Sequence, residues 1–350
     1  MTQSSLQPVL QKFNITGAQF RYSPLTAGLI NDTYLVTTAE HQQYILQKIN
    51  TQVFSHVGEL MKNINHALTH LSATDYAPIT FVNTKNGENC LQENGVFWRM
   101  MTYIPNSTTY NTTTNTNIAY EAGRIIGKFH SLLSPVDPNL FYDTLPKFHD
   151  LDHRTHQFEQ ALQSADSTKL KTAKEAIKKA HSFLNELQDL DYSKLPLRIC
   201  HNDTKLNNIL FSKNTDKALC LIDLDTLMKG YFFYDFGDAI RTVVNTAPED
   251  EKDHHKIIFD EPMFTAFIDG LATHPHLLTK AEKESLPLGA VFMPFLHGLR
   301  ALTDYLNNNI YYKVAYENQN LDRCLSLFHF AEKALQNKDL MAAYIQRKLH

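Results

Sequence analysis

Cysteine is scarce in this chain: Cys90, Cys200, Cys220 and Cys324 are the only four, and no two form a C-x-x-C pair. That spacing speaks against a disulfide scaffold or a zinc ribbon and fits reduced thiols in the cytoplasm. No charge of one sign dominates. Thirty-three Lys and Arg against 37 Asp and Glu leave a net charge of −4 and a pI near 6.5, so no basic surface invites nucleic acid or anionic lipid. No apolar run is long enough to span a bilayer, and the start, Met1-Thr-Gln-Ser-Ser-Leu, lacks a secretory pattern. The expectation is a cytoplasmic protein with neither nucleic acid nor membrane as partner. Asn106-Ser-Thr and Asn111-Thr-Thr match glycosylation sequons but count as chance without a secretory signal. Glycine is thin where a phosphate loop would want it: Ala27-Gly28-Leu-Ile-Asn31-Asp-Thr33 contains one.

What is present is ordinary for a globular protein, 43% hydrophobic and 20% charged, in a chain long enough for two lobes. The first hundred residues are rich in strand signals. Tyr34–Thr38 and Tyr44–Ile49 flank a polar turn and predict a hairpin, and 95–104 reads as a strand leading out of the lobe. Residues 53–71 read helical between them. An Asn/Thr-rich stretch, Asn106 to Asn117, marks a linker. Ile118, Ala122, Ile125, Phe129 and Leu132/Leu133 then recur at helical spacing. Residues 155–190 look like an inserted helical pair, and the last sixty residues are mostly helical. His149, His153 and His156 fall at i, i+4, i+7 and predict a polar helix face rather than a metal site, since no Cys or Glu at ligand spacing accompanies them.

Chemistry concentrates in His201-Asn-Asp203-Thr-Lys205-Leu-Asn-Asn208, which fits H-x-D-x-x-x-x-N, and in Ile222-Asp223-Leu-Asp225, fifteen residues past Asn208. Ile209-Leu-Phe211 and Ala218–Ile222 are apolar runs around turn residues, so a hairpin would return Asp223 to Asn208. Transfer of a phosphoryl group from Mg·ATP to a hydroxyl needs these parts: a carboxylate for the hydroxyl proton, and an amide with a second carboxylate for the metal. Asp203 is the candidate base, and Lys205 lies two positions on, where many kinases carry a lysine that reaches the transferred phosphate. Asn208, Asp223 and Asp225 are candidate ligands of Mg²⁺, a hard cation that prefers oxygen. Tyr234-Asp235-Phe-Gly contains a literal Asp-Phe-Gly, but it lies beyond the Asp223 segment, so Asp235 is expected to brace the catalytic loop.

These segments resemble the aminoglycoside phosphotransferase and choline kinase superfamily. Within it the chain is similar to bacterial N-acetylhexosamine 1-kinases over nearly its whole length, through Asn31-Asp-Thr-Tyr-Leu-Val, Tyr44-Ile-Leu-Gln and Phe148-His-Asp-Leu-Asp-His-Arg154. Gly298-Leu-Arg300, Thr303-Asp-Tyr305-Leu and Asn320-Leu-Asp-Arg323 carry it further. The resemblance implies an α+β, protein-kinase-like bilobal fold, with a small β-rich lobe over 1–104 and a larger, mainly helical lobe over 105–350. It implies ATP, Mg²⁺ and transfer to the anomeric hydroxyl of N-acetylglucosamine or N-acetylgalactosamine, by a monomer. Asn31, Thr33, Gln47, Lys48, Met101 and Tyr103 would then serve the nucleotide, with Met101–Tyr103 as hinge backbone, and Asp203, Arg300 and Tyr311 the sugar. Two departures stand out. Gln47 occupies the third-strand place where a lysine or arginine is usual, with Lys48 next to it and Glu59 as its helix partner. Arg241-Thr-Val-Val-Asn245 replaces a loop containing phenylalanine and glycine, which bears on sugar preference. The alternatives are a kinase of the choline, homoserine or aminoglycoside type, and a catalytically silent nucleotide-binding regulator. A Ser/Thr protein kinase would need an activation segment, an Ala-Pro-Glu signature and a richer glycine loop.

Overall fold

Five antiparallel strands open the architecture: β1 (Phe20–Leu25), β2 (Asp32–Thr38), β3 (Gln43–Ile49), β4 (Leu91–Glu93) and β5 (Val96–Thr102), in the order β1-β2-β3-β5-β4. The structure is a computed structural model that describes residues 6–17, 19–25, 30–187 and 194–349. The Ala27-Gly28-Leu29 part of the expected phosphate turn lies outside them. The chain divides into two compact units, residues 1–107 and 108–350.

In the first unit, strand periodicity sorts the sheet into two faces. Val36, Leu46, Trp98 and Met100 point to one side, where Leu6, Val9, Leu10 and Phe13, from the short helix α1 (Gln7–Leu10) and the turn after it, complete a core. Lys48 shares this side, because it pairs in register with Trp98. On the other side Thr33, Gln47 and Arg99 stand in one row across β2, β3 and β5. Helix α2 (Val57–Leu68) reaches that side through Met61, whose Sδ lies 4.0 Å from Arg99 Nη1. Its buried Val57, Leu60, Met61 and Ile64 form the apolar stripe of an amphipathic helix.

The second unit carries helices α3 (Thr116–Leu133), α4 (Leu151–Ser164), α5 (Ser167–Thr172), α6 (Lys174–Leu187), α7 (Phe232–Val243), α8 (Glu261–Leu271), α9 (Lys280–Leu306), α10 (Gln319–Gln336) and α11 (Lys338–Lys348). Three helices, not a pair, fill 151–187: Asp166 accepts from Thr168 N and Lys169 N and so starts a new helix at Ser167. Helix α9 is the axis, packed by α4, α7, α10 and α11. It begins at a capping box of Thr279 and Glu282. By length and composition it would pass as a membrane span, yet its most apolar stretch is 83% buried inside the protein. Its apolarity serves the core. Helices α7 and α9 touch backbone to backbone: a Cβ on Gly237 would come within 2.0 Å of Gly289 O. Only glycine permits that approach, and it fixes the helix that carries Asp235 and Asp238.

Four short strands finish this unit. β6 (Arg198–Cys200) pairs with β9 (Met228–Gly230), and β7 (Ile209–Ser212) with β8 (Ala218–Leu221). The β7–β8 pair is the hairpin anticipated from the apolar runs, with a register shift at Leu210/Phe211.

Candidate active site

The loop that follows β6 is pinned before it presents any chemistry. Asn202 sits in the left-handed region at φ +61°, a conformation that asparagine tolerates better than most residues. Its Nδ2 donates to Cys200 O at 3.2 Å and Thr226 O at 3.0 Å. Asp235, fully buried on α7, braces the same turn. Its Oδ2 accepts from His201 N at 2.8 Å and its Oδ1 from Asn202 N at 2.7 Å, while His130 Nε2 lies 2.9 Å from Oδ2. Thr204 Oγ1 donates to Asp235 O at 2.5 Å, and Leu206 N to Thr242 Oγ1 at 2.9 Å. The literal Asp-Phe-Gly is thus a support for the loop. His130, a lone histidine on the amphipathic α3, gives no such hint in the sequence.

Asp203 follows, half-buried. Lys205 Nζ and Asn208 Nδ2 both donate to its Oδ2, at 2.9 and 2.8 Å, and Asn208 Nδ2 also donates to Asp203 O at 2.8 Å. Oδ1 carries no bond among the described residues. Burial pushes the Asp203 carboxyl up, but the Lys205 ammonium outweighs it and holds the group below its ordinary value. Burial likewise depresses Lys205, and Asp203 and Asp223 reverse that, leaving it raised. The pair is therefore ionised at neutral pH.

The hairpin delivers the second carboxylate. Ile222 N donates to Asn208 O at 2.9 Å, so Asp223 begins its excursion beside Asn208. Asp223 holds φ +62°, a left-handed conformation that aspartate, like asparagine, visits more readily than most residues. Asp225, 2% exposed, lies one turn of 3₁₀ helix on. Asn208, Asp223 and Asp225 offer one amide and two carboxylates, an all-oxygen donor set of the kind that suits Mg²⁺. Because Asn208 turns its NH₂ toward Asp203, its carbonyl oxygen is the end left for a cation.

A second group of side chains gathers around Arg300 on α9. Its guanidinium lies over the Phe148 ring, 4.8 Å to the centroid. Arg154 donates through Nε and Nη2 to Phe148 O, at 3.2 and 2.9 Å. Burial, then the neighbouring Arg300, push Arg154 down to about 10. Burial would raise the Tyr312 phenol, yet Arg300, Arg323 and Arg154 together bring it below its ordinary value. Tyr311 is 54% exposed, its ring edge-on to Tyr312, and Asp304 holds the backbone N–H groups of both. His149 does not join His153 and His156 on a helix face. Asp150 caps α4 by accepting from His153 N, so the helix starts after His149, which turns inward to Asn202 O at 3.0 Å. Burial and Arg300 lower its pKa to about 4. The residues after α7 knit into the same region: Arg241 pairs with Asp238 and Glu249, and Arg323 Nη2 meets Glu249 at 2.8 Å. Glu249 closes the tripeptide Ala247-Pro248-Glu249, and reading Arg241–Asn245 alone misses this anchor.

In the first unit, Asn31 Oδ1 accepts from Asn50 N at 2.9 Å. Gln47 Nε2 donates to Thr33 Oγ1 at 3.3 Å, and Arg99 Nε donates to Gln47 Oε1 at 2.9 Å. Lys48 faces the opposite way, and Glu59 makes no ion pair with it among the described residues. Met101 pairs with Ile45 across β3–β5, and Tyr103 N donates to Gln43 O at 3.2 Å. Arg99 is the functional candidate that strand alternation alone does not single out.

An antiparallel sheet unit, a helical unit and a clamped Asp-x-Lys-x-x-Asn loop with Asp-x-Asp behind it define a phosphotransferase of kinase-like fold. The model of the phosphotransferase enzyme family matches residues 21–268, and the chain belongs to that family. Solved structures agree in fold. A microcompartment-associated aminopropanol kinase is 16% identical over 97% of this chain and 98% of its own, with a TM-score of 0.66. Choline kinase from Cryptosporidium parvum Iowa II is 14% identical over 97% and 98%, with a TM-score of 0.61. An amicoumacin kinase in complex with AMP-PNP, Ca²⁺ and Ami is 15% identical over 95% and 93%, also at 0.61.

Proposed function

We propose that this protein transfers the γ-phosphoryl group of ATP to the anomeric hydroxyl of an N-acetylhexosamine, giving the sugar 1-phosphate. The observation that carries the kinase reading is the treatment of Asp203: two donors fix one carboxylate oxygen and leave the other open toward an incoming hydroxyl. Asp203 orients that hydroxyl and takes its proton late, as suits a weakly basic carboxylate and a loose transition state. Lys205 meets the charge on the moving phosphoryl group. Asn208 and Asp223, with Asp225 nearby, would hold Mg²⁺, which would supply charge neutralisation on the phosphates. Asn31, Thr33, Gln47, Met101 and Tyr103 serve the nucleotide, and Lys48 falls away from that role because it faces the apolar core.

The acceptor is inferred from Arg300, Arg154, Tyr311 and Tyr312. Guanidinium and phenol groups hydrogen-bond sugar hydroxyls and an acetamide oxygen. Among the described residues neither Arg300 nor Arg154 forms an ion pair, and the raising effect of Asp150 on Arg154 is outweighed by burial and Arg300. Two such guanidiniums make a poor site for a cation, so an amino alcohol such as choline or homoserine is disfavoured despite the fold of the neighbours. The test is ATP-dependent phosphorylation of N-acetylglucosamine, N-acetylgalactosamine, glucose, galactose, choline and homoserine, with phosphorus NMR to locate the phosphate. Sugar 1-phosphate from the acetamido sugars is expected, and D203N should lower turnover at least about a hundredfold with nucleotide binding retained. Product from an amino alcohol instead would overturn the substrate while leaving the role of Asp203.

A further inference from the structure

We infer that Arg99 is a positioning residue for the nucleotide phosphates, acting through Gln47 to supply the positive charge that the third strand lacks. The inference rests on the ATP-dependent reading above. Thr33, Gln47 and Arg99 are consecutive partners across β2, β3 and β5, and side chains directly opposite in antiparallel strands share a face. Lys48, the nearest cation in sequence, lies on the other face beside Trp98. A one-residue offset therefore removes it from this row.

The hydrogen bonds then fix which way Gln47 points. A guanidinium has only donors, so the atom of Gln47 that meets Arg99 Nε at 2.9 Å must be the amide oxygen. The NH₂ end is forced to the opposite side, toward Thr33 Oγ1 at 3.3 Å. That contact is long for a hydrogen bond, and an NH₂ group has a second hydrogen, so Gln47 keeps a donor to give to a phosphate oxygen. Arg99 is 2% exposed and backed by Met61 of α2. A charge buried behind the amide polarises it, which strengthens the bond the outer end makes. An arginine on the neighbouring strand and a glutamine in the usual place together do what one lysine does elsewhere. The arrangement also accounts for a glutamine at this position. Alone it is a neutral donor; against Arg99 it relays a charge that is never deprotonated.

The test compares binding of ATP and of adenosine to wild-type protein, R99Q, R99K and the double variant Q47K/R99Q. R99Q should weaken ATP roughly ten- to a hundredfold, the range of a charge-assisted bond, and leave adenosine unchanged. R99K should fall between R99Q and wild type, and Q47K/R99Q should recover ATP affinity, because the charge is back in the row. Equal losses for ATP and adenosine, unchanged ATP binding in R99Q, or no recovery in the double variant would each overturn the inference. Should R99Q fail to fold, Q47M removes the amide while leaving Arg99 buried in place. It should show the same ATP-selective loss, and wild-type affinity for ATP in Q47M overturns the relay. Turnover separates the two readings. Wild-type protein that binds ATP in this Arg99-dependent way yet phosphorylates none of the acceptors overturns the proposed function alone. An active kinase whose ATP affinity ignores Arg99 overturns this inference alone.

Discussion

Asp235→Asn is the sharpest probe of how the catalytic loop is held, because it changes one atom at a residue that is assigned neither substrate nor metal. The carboxylate receives His201 N at 2.8 Å on one oxygen and Asn202 N at 2.7 Å on the other, with His130 Nε2 at 2.9 Å from the first. An amide has one oxygen. If it faces His201, its NH₂ confronts Asn202 N, a donor against a donor in a fully buried place. The unsatisfied N–H costs about 1–3 kcal/mol, and the bonds that remain lose their charge assistance at about 1 kcal/mol each. The sum is about 3–5 kcal/mol, a large part of a typical total stability. For a unit of this size that corresponds to a fall in Tm of roughly 6–20 °C. Because Asn202 and Asp203 are adjacent, loosening the turn also displaces the carboxylate proposed as the base, and a displacement of ~1 Å can cost about a hundredfold in kcat. The assays are thermal unfolding by circular dichroism and steady-state kinetics at temperatures where both proteins are folded. A Tm within 1 °C of wild type, together with kcat within about twofold, would refute the brace. Asp235→Ala is less informative, since leaving all three donors without a partner is expected to unfold the protein.

Three further outcomes follow from the same geometry. Lys205→Met should lower kcat by roughly 10²–10³-fold, the usual loss of a transition-state donor. It should also move the acidic limb of the kcat/KM–pH profile upward, since the burial that opposes ionisation of Asp203 then acts without its main counterweight; a limb that stays in place would mean Lys205 does not set that carboxyl. With the proposed acetamido sugar as acceptor, Arg300→Ala should raise the acceptor's KM far more than that of ATP, and equal effects on both would remove Arg300 from the proposed acceptor site. His149, neutral in the fold with its pKa lowered from 6.5 to about 4, stabilises fully above pH 6.5. Its contribution is lost as pH falls toward 4, where the unfolded chain binds the proton first, and the total is about 3 kcal/mol. Urea unfolding across pH 4–7 should therefore show a shallower slope in His149→Gln, and identical slopes would sink the assignment.

What the sequence discloses and what it withholds divides by distance along the chain. His201–Asn208 and Ile222–Asp225 are legible because phosphoryl transfer demands particular residue types at short spacing, and the intervening apolar runs specify a hairpin locally; the bond from Ile222 N to Asn208 O is the physical form of that spacing. The inward turn of His149 carries a signal too. Asp150 is a good N-cap, and an N-cap ends the reach of helical periodicity, so the i, i+4, i+7 pattern stops at it. Asp235 and His130 are 105 residues apart, and Gln47 and Arg99 are 52 apart; nothing local announces either pair. A histidine in the stripe of α3 and an arginine in the middle of β5 read as misfits of burial, and burial resolves them only when register and helix crossing are known. Register matters most at Gln47. The strand pattern leaves Gln47 and Lys48 as competitors for one role, and the pairing of β3 with β5 separates them by placing one against a buried guanidinium and the other against Trp98. In the proposed relay, the cation that β3 lacks stands opposite Gln47 on the neighbouring strand, 52 residues further along the chain.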